Sequence, residues 1–127
     1  RLRDNALTQM TQDHTVAQER CAKGELSPEQ AAKHPSAHVL TRAVGVHQTL
    51  HLELDYDTVQ QGDRYLLCSD GLYNRLEPTD ICSLLGQGSL EQARDCLIDL
   101  ALEKGGQDNI TVIIVEARES SELSNST

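Results

Sequence analysis

The sequence contains neither phenylalanine nor tryptophan, and its only aromatic residues are three tyrosines. The hydrophobic core of this 127-residue chain must therefore be assembled from leucine, isoleucine, valine and alanine. Basic residues are also scarce, since 11 lysines and arginines stand against 20 aspartates and glutamates, giving a formal charge of −9. Because nucleic-acid binding normally uses a basic face, this balance argues against a nucleic-acid partner.

Long apolar runs and paired cysteines are missing as well. No run approaches the roughly 20 apolar residues that a membrane-spanning helix needs, and no basic-then-apolar signal opens the chain. The cysteines form neither a C-x-x-C pair nor a dense framework, and three of them lie in apolar runs, which is typical of reduced, buried thiols. They are Cys21, Cys68, Cys82 and Cys96. These features predict a cytoplasmic protein with no membrane partner.

The first half of the chain mixes short strand signals with helix signals. The Asp-Asn pair at residues 4–5, set between two short runs, predicts a β-hairpin. Apolar spacing and capping residues predict helices over residues 14–23 and 27–33. Residues 38–45 are predicted to be extended, and the strict polar–apolar alternation of residues 51–57 predicts a strand buried on one face.

The second half has stronger signals. Residues 64–69 form a uniformly apolar run, which predicts a strand covered on both faces. Helices are predicted over residues 79–85 and from Ser89 to the Gly-Gly pair that follows Lys104. The β-branched run at residues 110–115 predicts a further strand. The succession indicates an α+β protein with a mostly antiparallel sheet.

Two aspartates stand where an apolar strand meets a turn. Asp70 follows the first of the two central strands and precedes Gly71, while Asp108 and Asn109 precede the second. If these strands are neighbours, both carboxylates emerge at one end of the sheet, where their repulsion favours a cation between them. Such hard oxygen ligands select Mg²⁺ or Mn²⁺. Ordinary Asp-Gly and Asx turns without a metal produce the same pattern.

Five blocks of sequence, read in order, resemble the later motifs of the metal-dependent PP2C-type protein serine/threonine phosphatases, in particular their bacterial branch. The specific blocks are Leu-Thr-Arg-Ala-Val-Gly at residues 40–45, the segment 62–72 with its Ser-Asp-Gly motif, and the Asp-Asn motif that opens residues 108–112. Residues 7–14 and 24–29 add weaker matches. The resemblance covers nearly all of the chain except its last eight or so residues.

The resemblance implies a fold and a site. The fold is half of a β-sandwich of two antiparallel sheets flanked by helices. Asp70 and Asp108 match metal-ligating aspartates, with Gly71 and Asn109 beside them as supporting residues, and the complete domain holds two Mn²⁺ or Mg²⁺ ions. No catalytic side chain is implied beyond the metal-bound water that attacks phosphorus. The segment from Val16 to Leu40 matches a variable flap beside the active site, where substrate selection is expected although its residues are not identified.

The first half of the family pattern is absent. It carries the remaining metal-binding acids, a D-G-x-G-type motif and a phosphate-binding arginine. Residues 1–118 are therefore expected to be the C-terminal portion of such a domain, and residues 119–127 a disordered tail. Two carboxylates cannot hold a bridged metal pair, so we expect the isolated chain to be weakly active or inactive. A start at Arg1 without methionine suggests a piece of a longer protein.

Partners and an alternative function follow from this interpretation. The parent protein is expected to act on phosphorylated serine and threonine in proteins, alongside a cognate protein kinase. The alternative is a catalytically dead half-domain that serves as an interaction or regulatory module, and exposed strand edges allow a homodimer.

Three other features are weaker candidates. His34 and His38 have ligand-like spacing, but a proline separates them, and His47 and His51 fall partly in a predicted strand. Cys68 lies near the Ser-Asp-Gly motif, but no arginine-rich phosphate loop follows it, so solvated histidines and a buried thiol are the preferred interpretations.

Overall fold

The computed structural model describes residues 1–106 and 109–120. In chain order its elements are β1 (Leu2–Arg3), β2 (Ala6–Leu7), α1 (Val16–Ala22), α2 (Pro28–Lys33), β3 (Arg64–Cys68), α3 (Asp70–Tyr73), α4 (Pro78–Leu85), α5 (Leu90–Glu103) and β4 (Val112–Glu116). They fall into two compact units. The first combines Arg1–Gln9 with the chain from Asp57 onward, and the second is Met10–Tyr56.

The first unit contains a four-stranded sheet in the order β2-β1-β3-β4, with every pair antiparallel. The predicted hairpin is confirmed, because Leu2 pairs with Leu7 and both turn residues have positive φ, 50° at Asp4 and 61° at Asn5. Aspartate and asparagine adopt this left-handed conformation more readily than other non-glycine residues. The central pair β3–β4 runs in register from Arg64 opposite Glu116 to Cys68 opposite Val112.

One face of the β3–β4 pair carries the core of this unit. Leu66, Cys68, Val112 and Ile114 pack against a buried cluster built around Leu72, Leu85 and Leu97, which the helices α3, α4 and α5 contribute. The alternation of side chains along a strand sends the remaining residues to the opposite face.

That opposite face is exposed. Leu67 and Ile113 are each 56% exposed, and Val115 is 51% exposed. The prediction that the strand at residues 64–69 is covered on both faces is therefore wrong for the described residues, since its second apolar face is open to solvent. A uniformly apolar run indicates that both faces of the strand are apolar, but it does not indicate whether residues of this chain bury both of them.

The helices of the first unit begin at local capping signals. The predicted helix after Ser89 is confirmed: the Ser89 hydroxyl accepts from Gln92 N–H, and the Gln92 side chain accepts from Ser89 N–H, which forms a complete capping box. Helix α4 begins at Pro78, one residue earlier than predicted, because Glu77 is its N-cap.

A buried ion pair joins the start of β3 to β1. The carboxylate of Asp63, 1% exposed, accepts hydrogen bonds from Arg3 Nε at 2.9 Å and Arg3 Nη2 at 2.7 Å, and also from Gln60 N–H at 2.8 Å. The hydrogen bonds from Arg3 hold the pKa of the Asp63 carboxyl well below its usual range. This bidentate contact fixes the turn before β3 and hence the position of that strand.

The second unit contains the two predicted helices. Helix α1 is capped by Thr15, whose hydroxyl accepts from Gln18 N–H, and α2 has a capping box between Ser27 and Gln30. A backbone bridge pairs Thr15 with Leu40. Within the part of the chain that the structure describes, no helix is long and apolar enough to cross a membrane.

The predicted strand at residues 51–57 is wrong. Residues 50–60 have no regular structure, and the apolar residues of the alternation stay exposed, with Leu52 at 71% and Leu54 at 73%. A strand requires a neighbour that pairs with its backbone, and no described residue provides one here. Residues 38–45, predicted to be extended, contribute only the single bridge at Leu40.

Candidate functional site

The candidate site lies where β3 ends and β4 begins. Because the two strands are antiparallel neighbours and Cys68 pairs with Val112, the residues after β3 and those before β4 emerge at the same end of the sheet. Asp70 is the first residue of α3. Asn109 lies on the approach to β4. Asp108, the second predicted ligand, lies outside the described residues, so its position relative to Asp70 stays a prediction.

Ser69 links the two chain segments directly. Its hydroxyl donates to the carbonyl of Asn109 at 3.1 Å and accepts from Thr111 N–H at 2.9 Å, and its backbone N–H donates to the carbonyl of Thr111 at 3.0 Å. Although Ser69 is the N-cap of α3, its side chain makes no capping hydrogen bond. The hydroxyl instead bridges to residues 40 and 42 positions away.

The role of Ser69 is absent from the sequence interpretation. Its only sequence signal is its place immediately before Asp70, where a serine reads as an ordinary helix cap. The bridging partners of its hydroxyl depend on the pairing of β3 with β4, which no local pattern specifies.

Gly71 allows the close approach of these segments. It is buried, and a Cβ atom at this position would overlap the backbone carbonyl oxygen of Asn109 and lie 3.1 Å from the Asn109 carbonyl carbon. Carbon atoms in favourable contact are about 3.5–4.0 Å apart, so any side chain here forces the Asn109 segment away. The glycine after Asp70 therefore has a steric reason beyond turn formation.

The backbone at Asp70 is fixed by helix α3. The carbonyl of Asp70 accepts from Asn74 N–H at 2.9 Å, and Leu72 is fully buried in the core of the first unit. The residue Asp70 itself is exposed. The fold thus presents this aspartate to solvent at the end of the sheet while the backbone beneath it is fixed by packing.

The donor chemistry at this end of the sheet suits a hard divalent cation, but the ligand number is incomplete. Carboxylate oxygen is the ligand that Mg²⁺ and Mn²⁺ prefer. Residues 1–106 and 109–120 contain no group of three histidine, cysteine, aspartate or glutamate side chains that could hold a metal ion. Asp70 is therefore not part of such a group within the described residues, and a metal site at this end of the sheet stays a prediction.

The weaker candidates do not form a second reactive centre. The four cysteines, all within the described residues, form no disulfide bond with one another. The thiol of Cys68 lies in the half-buried layer that packs against the core. His34 Nδ1 lies 2.6 Å from the Ser36 hydroxyl, and its Nε2 lies 3.2 Å from a guanidinium nitrogen of Arg20. Because both ring nitrogens already have a hydrogen-bond neighbour, this histidine is poorly placed to bind a metal ion.

The predicted flap, residues 16–40, comprises α1, α2 and their connection in the second unit. Arg20 joins its parts, since the guanidinium also donates to Glu25 at 2.9 Å. Within this segment the described contacts are structural, and they identify no substrate-binding residue.

The chain is similar in sequence to known proteins. No family model matches the chain. The chain is 40% identical over 116 residues to the serine/threonine phosphatase stp of Listeria welshimeri, and the match covers 91% of this chain and 46% of that protein.

Two solved structures have a fold similar to that of this chain. The Streptococcus agalactiae serine/threonine phosphatase superimposes with a TM-score of 0.85 at 34% identity, covering 93% of this chain and 49% of that one. The catalytic domain of the phosphatase PstP, solved in complex with two manganese ions, matches with a TM-score of 0.75 at 35% identity, covering 93% and 48% of the two chains. The chain thus spans about half the length of these relatives.

Proposed function

We propose that this chain, which matches half of a PP2C-type serine/threonine phosphatase in sequence and fold, supplies one side of the metal centre of such an enzyme. The observation that carries the proposal is the tight junction at the end of β3 and β4, where Ser69 bridges to Asn109 and Gly71 contacts it. This junction sets the backbone next to Asp70 against Asn109, the residue that follows Asp108 in the sequence. The reaction is hydrolysis of phosphoserine and phosphothreonine in proteins.

Mn²⁺ or Mg²⁺ is the proposed cofactor, with two ions in the complete domain. Support comes from the carboxylate chemistry of Asp70 and from a structural relative solved with two manganese ions. Asp70 and Asp108 are the proposed ligands on this chain, and Gly71 and Asn109 keep their segments together. When bound, such ions activate a water molecule and stabilise the charge that develops on phosphorus.

A partner half is required for turnover. Asp70 and Asp108 are too few to hold a bridged metal pair, and the apolar outer face of β3–β4 is uncovered in this chain. An apolar sheet face of this kind is normally packed against a second sheet, about 10 Å away. We therefore expect the isolated chain to be weakly active or inactive.

The cellular setting is also proposed. The bacterial relatives favour a bacterial protein, and the four cysteines, none of which forms a disulfide, favour the reducing cytoplasm. The substrates are phosphorylated proteins, and a cognate kinase supplies the phosphoryl groups. The charge of −9 disfavours nucleic acid.

The decisive experiment restores the missing half. The part of the Listeria welshimeri phosphatase that this chain does not match is fused to the chain, and turnover of a phosphothreonine peptide is measured with Mn²⁺. We expect activity in the fusion, and its loss in D70N and in D108N, because each substitution removes a carboxylate ligand. The control is D99N, which changes an exposed aspartate on α5. Full turnover in D70N would contradict the proposal.

A non-catalytic interaction module is the alternative, and the exposed apolar face favours it. In that case β2 or β4, the edge strands of the sheet, pairs with a second copy of the chain. Sedimentation of the chain over a range of concentrations tests for this homodimer. A dimer whose fusion protein has no turnover would support the alternative over the enzyme.

A further inference from the structure

An apolar strip runs along residues 50–56 of the second unit. Every second side chain in it is apolar, and each of these is between 68% and 85% exposed. They are Leu50, Leu52, Leu54 and Tyr56. Such side chains gain free energy when they leave water, so a row of exposed ones marks a surface that a partner covers. We refer to these residues as the 50–56 strip.

The backbone of the 50–56 strip is open to pairing. Among the described residues, no backbone-to-backbone hydrogen bond and no β-bridge involves these positions. Unpaired N–H and C=O groups along an extended segment form a template for a further strand. Together with the period-two alternation, this makes the addition of a partner strand the binding mode that fits the strip.

Glu53 anchors the strip from its polar side. Its Oε2 lies 2.9 Å from His14 Nε2, and its Oε1 lies 3.8 Å from Arg42 Nη1, both in the same unit. Because side chains alternate along an extended segment, this contact directs the neighbouring Leu52 and Leu54 away from the unit. The apolar side of the strip is thereby presented to a partner.

A second copy of the chain is a poor partner for the strip. Antiparallel pairing of two copies centred on Leu54 places Glu53 opposite Asp55 of the second copy, and pairing centred on Glu53 places the two Glu53 side chains opposite each other. Like charges directly opposite each other destabilise a strand pair. The net charge of −9 on each copy adds to this repulsion.

The relatives contain a better partner. The chain matches only about half of each of them, so a comparable length of those proteins lies outside the match. A strand from that length would be joined covalently to the strip, which gives it a high effective concentration. The strand that fits carries apolar side chains at alternate positions and no acidic side chain opposite Glu53 or Asp55.

We propose that the 50–56 strip is a docking strand, which becomes ordered when a strand from the domain half that this chain does not match pairs alongside it. The inference rests on the proposed phosphatase function and deepens it. It names a contact with the partner half in the second unit, separate from the exposed face of β3 and β4 in the first.

Hydrogen exchange of the backbone amides tests the pairing. Exchange at residues 50–56 is measured by mass spectrometry, without metal, in the isolated chain and in the fusion with the unmatched part of the Listeria welshimeri phosphatase. We expect exchange to slow by at least about 10-fold in the fusion, because a strand pair protects its amides. The isolated chain is also measured at two concentrations. Slower exchange at the higher concentration would assign the strip to a second copy and overturn the proposal.

Leu54→Lys tests the apolar side of the strip. We expect the urea midpoint of the isolated chain to stay unchanged, because Leu54 is exposed there, and that of the fusion to fall. Val46→Lys is the matched control, since Val46 is exposed in the same unit but lies outside the strip, and it should change neither midpoint. Leu54→Ala is a milder variant that should lower the midpoint of the fusion by less, and it decides the test if the lysine variant does not fold.

Three results would overturn the proposal. They are equal exchange at residues 50–56 in the chain and in the fusion, an equal effect of the Leu54 variants on the two proteins, and equal effects of Leu54→Lys and Val46→Lys on the fusion. The proposed catalysis fails separately. A fusion that protects the strip but has no turnover counts against the metal centre only, whereas turnover without protection counts against the docking strand only.

Discussion

Gly71→Ala tests the steric argument for the junction most directly. The added Cβ would overlap the carbonyl oxygen of Asn109 and lie 3.1 Å from its carbonyl carbon, where a contact of about 3.5–4.0 Å is normal. The Asn109 segment must therefore move by about half an ångström or more. Ligand distances in metal sites lie within about 0.2 Å of standard values, so we expect a shift of this size at Asn109 to weaken metal binding by the proposed ligands.

We expect two measurable consequences of Gly71→Ala. Overpacking destabilises a protein by about 1–3 kcal/mol, so the chain should unfold at a lower urea concentration. In the fusion protein, the Mn²⁺ concentration needed for half-maximal turnover should rise by about 10- to 100-fold, the range typical of residues that orient metal ligands.

Gly86→Ala is the control for Gly71→Ala. A Cβ at Gly86 would meet the Leu2 side chain first, at 3.3 Å, which a flexible side chain can accommodate, and it lies on a different connection of the first unit. We expect little change in Mn²⁺ dependence. If Gly71→Ala and Gly86→Ala shift the Mn²⁺ dependence equally, or if neither shifts it, the steric account of the junction is refuted.

Three further predictions concern the first unit. Ser69→Ala removes both side-chain hydrogen bonds across the junction, so urea unfolding should show a loss of about 1–2 kcal/mol; an unchanged midpoint would mean that the bridge contributes nothing. Because Arg3 lowers the pKa of Asp63, their ion pair stabilises the fold fully at pH values above the unfolded-state pKa of about 3.9, and this stabilisation is lost as the pH falls further. The decrease in urea midpoint on acidification should therefore be smaller in Asp63→Asn than in wild type. An identical decrease would exclude Asp63 as its source. Leu67→Lys on the exposed face should change stability by less than about 0.5 kcal/mol but prevent association with the separately added other half, whereas Leu102→Lys, at an exposed leucine of α5, should leave association intact.

Local sequence signals predicted the structure correctly wherever the backbone hydrogen bonds of an element are completed by residues close in sequence. The Asp-Asn hairpin and the capping boxes at Ser27 and Ser89 each close within a few residues, and all were predictable. The strand predicted at residues 51–57 failed for the opposite reason, because its alternation is real but its hydrogen-bonding partner is not among the described residues. Alternation predicts which side chains share a face and leaves the pairing open.

The same distinction applies to the candidate site, where some residues were identified from the sequence and others only from the structure. The positions of Asp70 and Asp108, each between an apolar strand and a turn, singled both out from the sequence, and the resemblance implied that they are metal ligands. The importance of Ser69 and the steric need for Gly71 emerged only when β3 and β4 were paired. Asp63 gave no sequence signal, since its partner Arg3 lies 60 residues away.

The sequence by itself determined the α+β class and most of the helices and strands, because these depend on residue type and on short-range periodicity, and it singled out the two aspartates that are proposed as metal ligands. Only the tertiary structure decided which strands are neighbours, which face of β3 and β4 is left open, and how closely Gly71 approaches Asn109. These features depend on contacts between residues about 40 or more positions apart, whose formation is governed by packing of the whole unit rather than by any local pattern.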